Sequence, residues 1–346
     1  MIMEDINNKI LLIQQLCNEW RYTEAKWLIS WLKDDLVEVS WEREDFIVDT
    51  PEYFSNLKDR MVWKWVNKFI PTWFKSIDDR VYGAFVWEIM TICARSGWGK
   101  TTLGINIATN MCKNNKVWFI SLEMTEEDLF DKIVSRVCRI PHTVFQNNEM
   151  AWSNQDIQKL REHKDDILKI RENLLFAYKC FNIDEIERTV CWFVKRWCKV
   201  VFVDWIGMVE WVWKEQKDKI HNAIHTLKEL AQAHNIAIVI MQQLNRQIDN
   251  TNRPPYMYDI ADSSSIEKIS SPVIILWRWN WDNEETNVSL YKTRRVNVNN
   301  FMNENWYYDW DEITQFSIWN DLAYCWYKDI DIKEKENKDN KEVKPF

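Results

Sequence analysis

Six short apolar runs that alternate with helical stretches constrain this chain more than any other feature. They are Ile89–Cys93, Val117–Ser121, Val200–Asp204, Ala237–Met241, Val273–Leu276 and Val288–Lys292, and amphipathic, helix-patterned stretches separate most of them. A run that is short and apolar throughout is covered on both faces once it becomes a strand. Strands joined through helices run parallel, because a tight turn reverses the chain and a long crossover does not. The expected class is α/β, with a mainly parallel sheet and flanking helices on both faces.

The first run leads straight into Ala94-Arg95-Ser96-Gly97-Trp98-Gly99-Lys100-Thr101, and a helical stretch beginning at Thr102 follows. Strand, loop, helix is the context a phosphate-binding loop requires. Successive backbone N–H groups and the helix N-terminus cradle phosphate oxygens. The candidate nucleotide contacts are therefore Ala94, Arg95, Ser96, Gly97, Trp98, Gly99, Lys100, Thr101 and Thr102. Lys100 is placed to reach the β- and γ-phosphates, and the Thr101 hydroxyl to ligate Mg²⁺. ATP and Mg²⁺ are the expected ligands. Ala94 departs from the glycine usual at the first position of such a loop.

Two other run ends carry acids. Val200-Val201-Phe202-Val203-Asp204 delivers a carboxylate at the end of a buried strand, which suits Asp204 to hold Mg²⁺ alongside Thr101. Phe119-Ile120-Ser121-Leu122-Glu123-Met124 delivers Glu123, which can polarise an attacking water. Thr125-Glu126-Glu127 follows at once and favours a helix start. Both readings hold together, because the acid and the cap are different residues. The run ending at Met241 continues into Gln242-Gln243-Leu244-Asn245, where an amide beside a γ-phosphate can sense hydrolysis.

Composition adds one anomaly. A typical chain of this length carries about 24 glycines. This one has 5, and it has 23 tryptophans. The deficit nearly equals the excess. Several tryptophans, among them Trp63, Trp65, Trp279, Trp281, Trp306 and Trp310, sit in stretches that read as turns. That pattern is expected when a codon read as Gly in the source is translated as Trp, as with UGA. The net charge of −8 gives no basic footprint, although positive charge confined to one surface would be averaged away in that total. The 8 cysteines are scattered without a CxxC pair, which predicts reduced, buried thiols. No apolar run is long enough for a membrane span, and the N-terminus lacks the pattern of a signal peptide. A cytoplasmic protein is expected.

From about Phe69 to Asn297 these segments resemble the DnaB-type replicative helicase family, whose ATPase domain is RecA-like. Ile70-Pro71-Thr72-Trp73-Phe74-Lys75-Ser76-Ile77-Asp78 looks like the family's IPTG-F-x-x-L-D segment, and Trp87-Glu88 looks like its Gly-Glu pair. Trp73 and Trp87 thus fall where the family has glycine. Ala94–Thr101 is similar to its A-R-P-x-x-G-K-T loop, so Ala94 fits the family. Ser121-Leu122-Glu123-Met124 matches SLEM, which implies Glu123 as catalytic base. Gln243-Leu244-Asn245-Arg246 matches QLNR, which implies Gln243 as a coupling residue. Asp259–Glu267 resembles D-L-R-E-S-G-S-I-E, a loop facing single-stranded DNA, which implies Ser264, Ser265 and Glu267 as contacts. Here Ala261 replaces an arginine and Ser264 a glycine. Tyr291-Lys292-Thr293-Arg294 resembles the segment whose basic residues reach the neighbouring subunit's γ-phosphate, which implies Lys292 and Arg294 as groups acting in trans.

The resemblance implies a motor that hydrolyses ATP and translocates on single-stranded DNA during replication. Its expected partners are single-stranded DNA, further copies of the chain in a hexameric ring, and a primase or helicase loader. Lys214, Lys217 and Lys219, in a loop expected over 211–219, and Arg253 are placed to grip the DNA backbone. Residues 1–60 read as a helical segment with a linker helix, 61–327 as the RecA-like domain, and 328–346 as a disordered, charged tail. The family's larger N-terminal domain is not recognisable in 1–60. The competing readings are a RecA/RadA- or KaiC-like ATPase, and a non-hydrolysing scaffold or loader on the same fold.

Overall fold

The computed structural model describes residues 68–146, 152–178, 182–208, 216–250, 253–261, 263–278, 285–291, 314–321, 323 and 325–329, together with Leu12. The chain divides into two compact units, Met1–Trp65 and Val66–Phe346. Leu12 apart, the described residues belong to the second. The helical segment expected over 1–60, the six turn-region tryptophans named above and the tail beyond Asp329 lie outside the described residues.

A two-stranded antiparallel ribbon, β1 (Phe69–Ile70) and β2 (Ala84–Phe85), flanks α1 (Lys75–Val81). The main sheet then alternates with helices: β3 (Ile89–Ala94), α2 (Lys100–Met111), β4 (Lys116–Ser121), α3 (Glu126–Cys138), the short α4 (Thr143–Gln146), α5 (Asn154–Glu162), α6 (Lys164–Asn173), β5 (Leu174–Tyr178), α7 (Ile183–Val194), β6 (Cys198–Asp204), α8 (Gln216–His234), β7 (Ala237–Gln243), α9 (Ser263–Ile269) and β8 (Val273–Trp277). Three more strands, β9 (Glu285–Tyr291), β10 (Thr314–Asp321) and β11 (Trp326–Asp329), complete it. The order is β11-β10-β9-β8-β3-β7-β6-β4-β5 across 9 strands. From β8 to β5 every pairing is parallel; β9, β10 and β11 add on antiparallel.

The parallel strands are apolar throughout because successive side chains enter different cores. Val200 and Phe202 pack with α2 and α3 through Leu103, Ile107 and Ile133. Val201 and Val203 pack with α7 and α8 through Ile186, Ile224 and Leu227. Ile238 and Ile240 face one core, Val239 and Met241 the other. Among the described residues Cys93, Cys112, Cys138, Cys198 and Cys325 are buried and Cys191 is half-buried. Burial pushes the Cys112 and Cys138 thiols up to about 11 and that of Cys198 up to about 12, so these side chains act as small hydrophobes.

Three features differ from expectation. Residues 151–175 read from sequence as a charged, solvated helical stretch, yet Leu174–Tyr178 forms the edge strand β5 beside β4. Helix α8 begins at Gln216, so Lys217 and Lys219 are helical rather than part of a loop. Lys328 and Asp329, assigned to the tail, are the last residues of β11, and Asp329 accepts hydrogen bonds from the Lys75 and Ser76 backbone N–H groups and the Ser76 hydroxyl at the start of α1.

Left-handed backbone is concentrated at tryptophan. Of the seven non-glycine residues with positive φ among the described residues, three are tryptophans: Trp73 at 62°, Trp87 at 76° and Trp197 at 65°. A side chain in that region meets its own backbone, which is why glycine normally occupies it.

Candidate functional site

The carboxyl ends of β3, β4, β6 and β7 meet at one edge of the sheet, and the loop after β3 lies over them. Gly97 and Gly99 take φ values of 82° and 90°, which turn the loop into α2 with Gly99 as its N-cap. Lys100 opens α2 and is 7% exposed, while Asp204 at the end of β6 is fully buried. Lys100 Nζ lies 2.9 Å from Asp204 Oδ1 and 3.9 Å from Glu123 Oε2. The Thr101 hydroxyl donates to Asp204 Oδ2 at 2.7 Å. Lys100 Nζ and Asp204 Oδ1 are close, but neither has a hydrogen-bond partner of acceptable geometry. A buried ammonium and a buried carboxylate oxygen with unused hydrogen-bonding capacity fit a phosphate oxygen and a hard cation respectively.

Register explains why the two acids converge. Ser121 of β4 pairs with Asp204 of β6, and the Leu122 N–H donates to the Asp204 carbonyl at 2.6 Å. Glu123 stands two residues past that pairing, and its side chain is 43% exposed. Ser121 tightens the turn by donating to the Met124 carbonyl at 2.6 Å and accepting from its N–H at 3.0 Å. Thr125 then caps α3 as expected, in a reciprocal capping box with Asp128.

The end of β7 is fastened on two sides. Ala94 and Gln243 are in register across β3 and β7. The Leu244 N–H donates to the Ala94 carbonyl at 3.1 Å, and Arg95 Nη1 donates to the Leu244 carbonyl at 3.0 Å. Arg95 thus braces the loop against β7. Ser96 and Gly97 are exposed, Trp98 and Gly99 are half-buried, and Thr102 is buried in the first turn of α2. On its other side, β7 receives the Ala261 N–H on the Gln243 carbonyl at 3.0 Å.

The expected DNA-facing residues divide. Ser264 and Glu267 are exposed at α9. Ser265 does not face outward: it is 5% exposed, with its hydroxyl 3.0 Å from His221 Nδ1 on α8. Arg253 is already engaged, with both terminal nitrogens on the Asp259 carboxylate at 2.7 and 2.8 Å. Burial alone would raise the Asp259 pKa, but the bonds from Arg253 and the Tyr256 N–H outweigh it and hold the carboxyl below its ordinary value. Lys214, Lys292 and Arg294 lie outside the described residues, as do the side chains of Lys217 and Lys219. Trp205, which the sequence does not single out, joins Gln242 of the expected amide run at this edge through a hydrogen bond from Trp205 Nε1 to Gln242 Oε1 at 2.5 Å. The Gln242-Gln243 doublet ending an apolar strand was the available signal. Among the described residues no helix is long and apolar enough to cross a membrane, and no group of three or more His, Cys, Asp or Glu side chains could hold a metal ion.

Known proteins resemble this chain in sequence and fold. The chain is 27% identical over 217 residues to a probable plasmid replicative DNA helicase of Chlamydia trachomatis, covering 60% of this chain and 47% of that one. It is 24% identical over 226 residues to the replicative DNA helicase DnaB of Rickettsia prowazekii, covering 60% of this chain and 46% of that one. The chain thus spans about half the length of the curated relatives it matches. Two solved structures share the fold. One, described as an ATPase domain, superposes with a TM-score of 0.70 at 17% identity, covering 82% of this chain and 99% of that one. A DnaB-like replicative helicase, described with its interactions with primase, superposes with a TM-score of 0.73 at 17% identity, covering 94% of this chain and 76% of that one. Residues 70–305 match the family described as DnaB-like helicase C-terminal domain, and with most of its length inside that match the chain belongs to this family.

Proposed function

We propose that this chain is the ATP-hydrolysing motor of a replicative DNA helicase, working as a hexameric ring on single-stranded DNA. The observation that carries the reading is the convergence of Lys100, Thr101, Glu123 and Asp204 at one sheet edge, with Lys100 Nζ 2.9 Å from Asp204 and 3.9 Å from Glu123. In this reading Lys100 leaves Asp204 to bind the β- and γ-phosphates. Glu123, the more exposed acid, orients the attacking water and takes its proton. Thr101 and Asp204 would hold Mg²⁺, which supplies charge neutralisation at the phosphates. Gln243 reports the state of the γ-phosphate from the end of β7.

Lys292 and Arg294 complete the neighbouring protomer's site, so hydrolysis needs assembly. The exposed Ser264 and Glu267 and the lysines at 214, 217 and 219 contribute to a channel surface for the DNA backbone. The helical segment over 1–60 and a cytoplasmic location belong to the same proposal. Primase is a candidate partner, because a structural neighbour is described with it.

ATP turnover measured with and without single-stranded DNA tests the reading. DNA is expected to stimulate it, and Glu123→Gln to lower it by about a hundredfold or more while nucleotide still binds. A protein with no DNA-stimulated turnover would instead be a scaffold on this fold, and turnover that survives Glu123→Gln would mean that Glu123 is not the base. Mixing Arg294→Ala with wild-type chains should depress turnover by more than simple dilution if the arginine acts in trans.

A further inference from the structure

Gln242 is fully buried at the end of β7, in register with Cys93 of β3. A side-chain amide carries an acceptor at one end and a donor at the other. Here each end serves a different element. Trp205, the residue after Asp204, donates its indole N–H to Gln242 Oε1 at 2.5 Å. Gln242 Nε2 donates to the Ala261 carbonyl at 3.0 Å. The partners fix the direction of the amide, because an indole N–H can only donate and a carbonyl can only accept.

The rest of the path is short. The Trp205 ring centroid lies 5.5 Å from Lys100 Nζ, within reach of a cation–π attraction. Gly207 leaves room for the indole, since a Cβ there would come within 2.8 Å of the ring. Ala261 stands two residues ahead of α9. Backbone bonds already hold the sheet end to the phosphate loop and to residues 259–261, whatever side chain stands at 242. The Gln242 amide adds a side-chain link from the residue beside the metal-site carboxylate to the segment leading into α9. A buried amide with both ends satisfied fixes geometry that an apolar side chain would leave free.

We infer that Gln242 is a positioning residue that couples occupancy of the phosphate site to the placement of the 256–269 segment, through Trp205 and Ala261. The inference rests on the reading that the loop takes ATP and that this segment faces DNA. When Lys100 exchanges Asp204 for a phosphate, the indole beside it loses its present neighbour. The displacement passes through one amide to the Ala261 carbonyl. Coupling of this kind is reciprocal, so it is measurable as a binding ratio without hydrolysis.

The test uses the full chain and a fluorescent oligothymidylate. Its affinity is measured with and without Mg²⁺ and a non-hydrolysable ATP analogue. The wild-type ratio is expected to be about fivefold or more. Gln242→Met, similar in volume and lacking both polar ends, should bring the ratio to about one while affinity for the analogue alone stays within about twofold. Trp205→Phe removes the donor but keeps an aromatic ring, and should cause the same loss. The double variant should lose nothing more, because both changes cut one path. A wild-type ratio in Gln242→Met, or additive losses, overturns the inference. If Gln242→Met does not fold, an unchanged ratio in Trp205→Phe overturns it alone. A wild-type chain that binds the analogue but shows no coupling sinks the inference and spares the ATP site; one that binds no analogue sinks both.

Discussion

Lys100 and Asp204 form a buried ion pair, 7% and 0% exposed. Removing one member of such a pair strands the other charge, at a cost of about 3–5 kcal/mol. Lys100→Met should therefore lower stability in the absence of nucleotide as well as abolish nucleotide binding. Adding Asp204→Asn should restore much of the stability and none of the binding. Denaturant unfolding of the nucleotide-free chains checks this, and an unchanged midpoint for Lys100→Met would refute it. The left-handed tryptophans lead to a second expectation. Trp73 is 50% exposed and Trp197 is 81% exposed, so neither gives up much packing on truncation. Relief of left-handed strain is worth about 1–2 kcal/mol per residue. Trp73→Gly and Trp197→Gly should each stabilise the fold by about 1 kcal/mol, net of the entropy glycine adds to the unfolded chain. Trp87→Gly should gain less, because that ring packs on the core and beneath Lys68 at 4.1 Å. The family resemblance, which places glycine at 73 and 87, and the backbone angles there are independent observations pointing to the same two positions. UGG codons there would defeat the recoding explanation.

Single elements carry their own predictions. The capping box of α3 holds the turn that presents Glu123, and Thr125→Ala should cost about 1 kcal/mol. The Arg253–Asp259 fork holds residues 253–261. Because the folded pKa of Asp259 lies below its unfolded value, its stabilisation is complete above the unfolded pKa of about 4 and fades as pH falls through the folded one. Amide protection in 256–261, corrected for the intrinsic exchange rate, should therefore fall under acid sooner than in the core strands, and Arg253→Met should remove the difference. The elements also show what the sequence made legible. β3, β4, β6, β7 and β8 were readable because strands buried on both faces are apolar throughout. β5 was hidden because its five residues adjoin a charged helical stretch and lie at the sheet edge, where exposure weakens the pattern. Lys100, Thr101, Glu123 and Asp204 were readable because each stands at a strand end or helix start. Gln242 was not, because its role depends on two partners distant in sequence. The inward turn of Ser265 was hidden for the same reason, since His221 lies 44 positions away.

At the largest scale, β11 is fastened to α1, α2 and the phosphate loop. The Asn106 side chain on α2 donates to the Cys325 carbonyl at 2.9 Å and accepts from the Tyr327 N–H at 3.1 Å. The Tyr327 hydroxyl donates to the Trp98 carbonyl in the phosphate loop at 3.3 Å. A chain cut after Tyr327 loses the Asp329 bonds to α1 and should melt a few degrees lower than one cut after Asp329. Thermal denaturation of the two truncations decides whether the fold reaches that far. Synthesis on the ribosome gives the same contacts a temporal meaning. Trp98 is made early, but the tyrosine that supports it arrives 229 residues later. Until then the nascent sheet carries an unfinished loop and an open edge, so the growing chain depends on late, long-range closure to complete its phosphate loop.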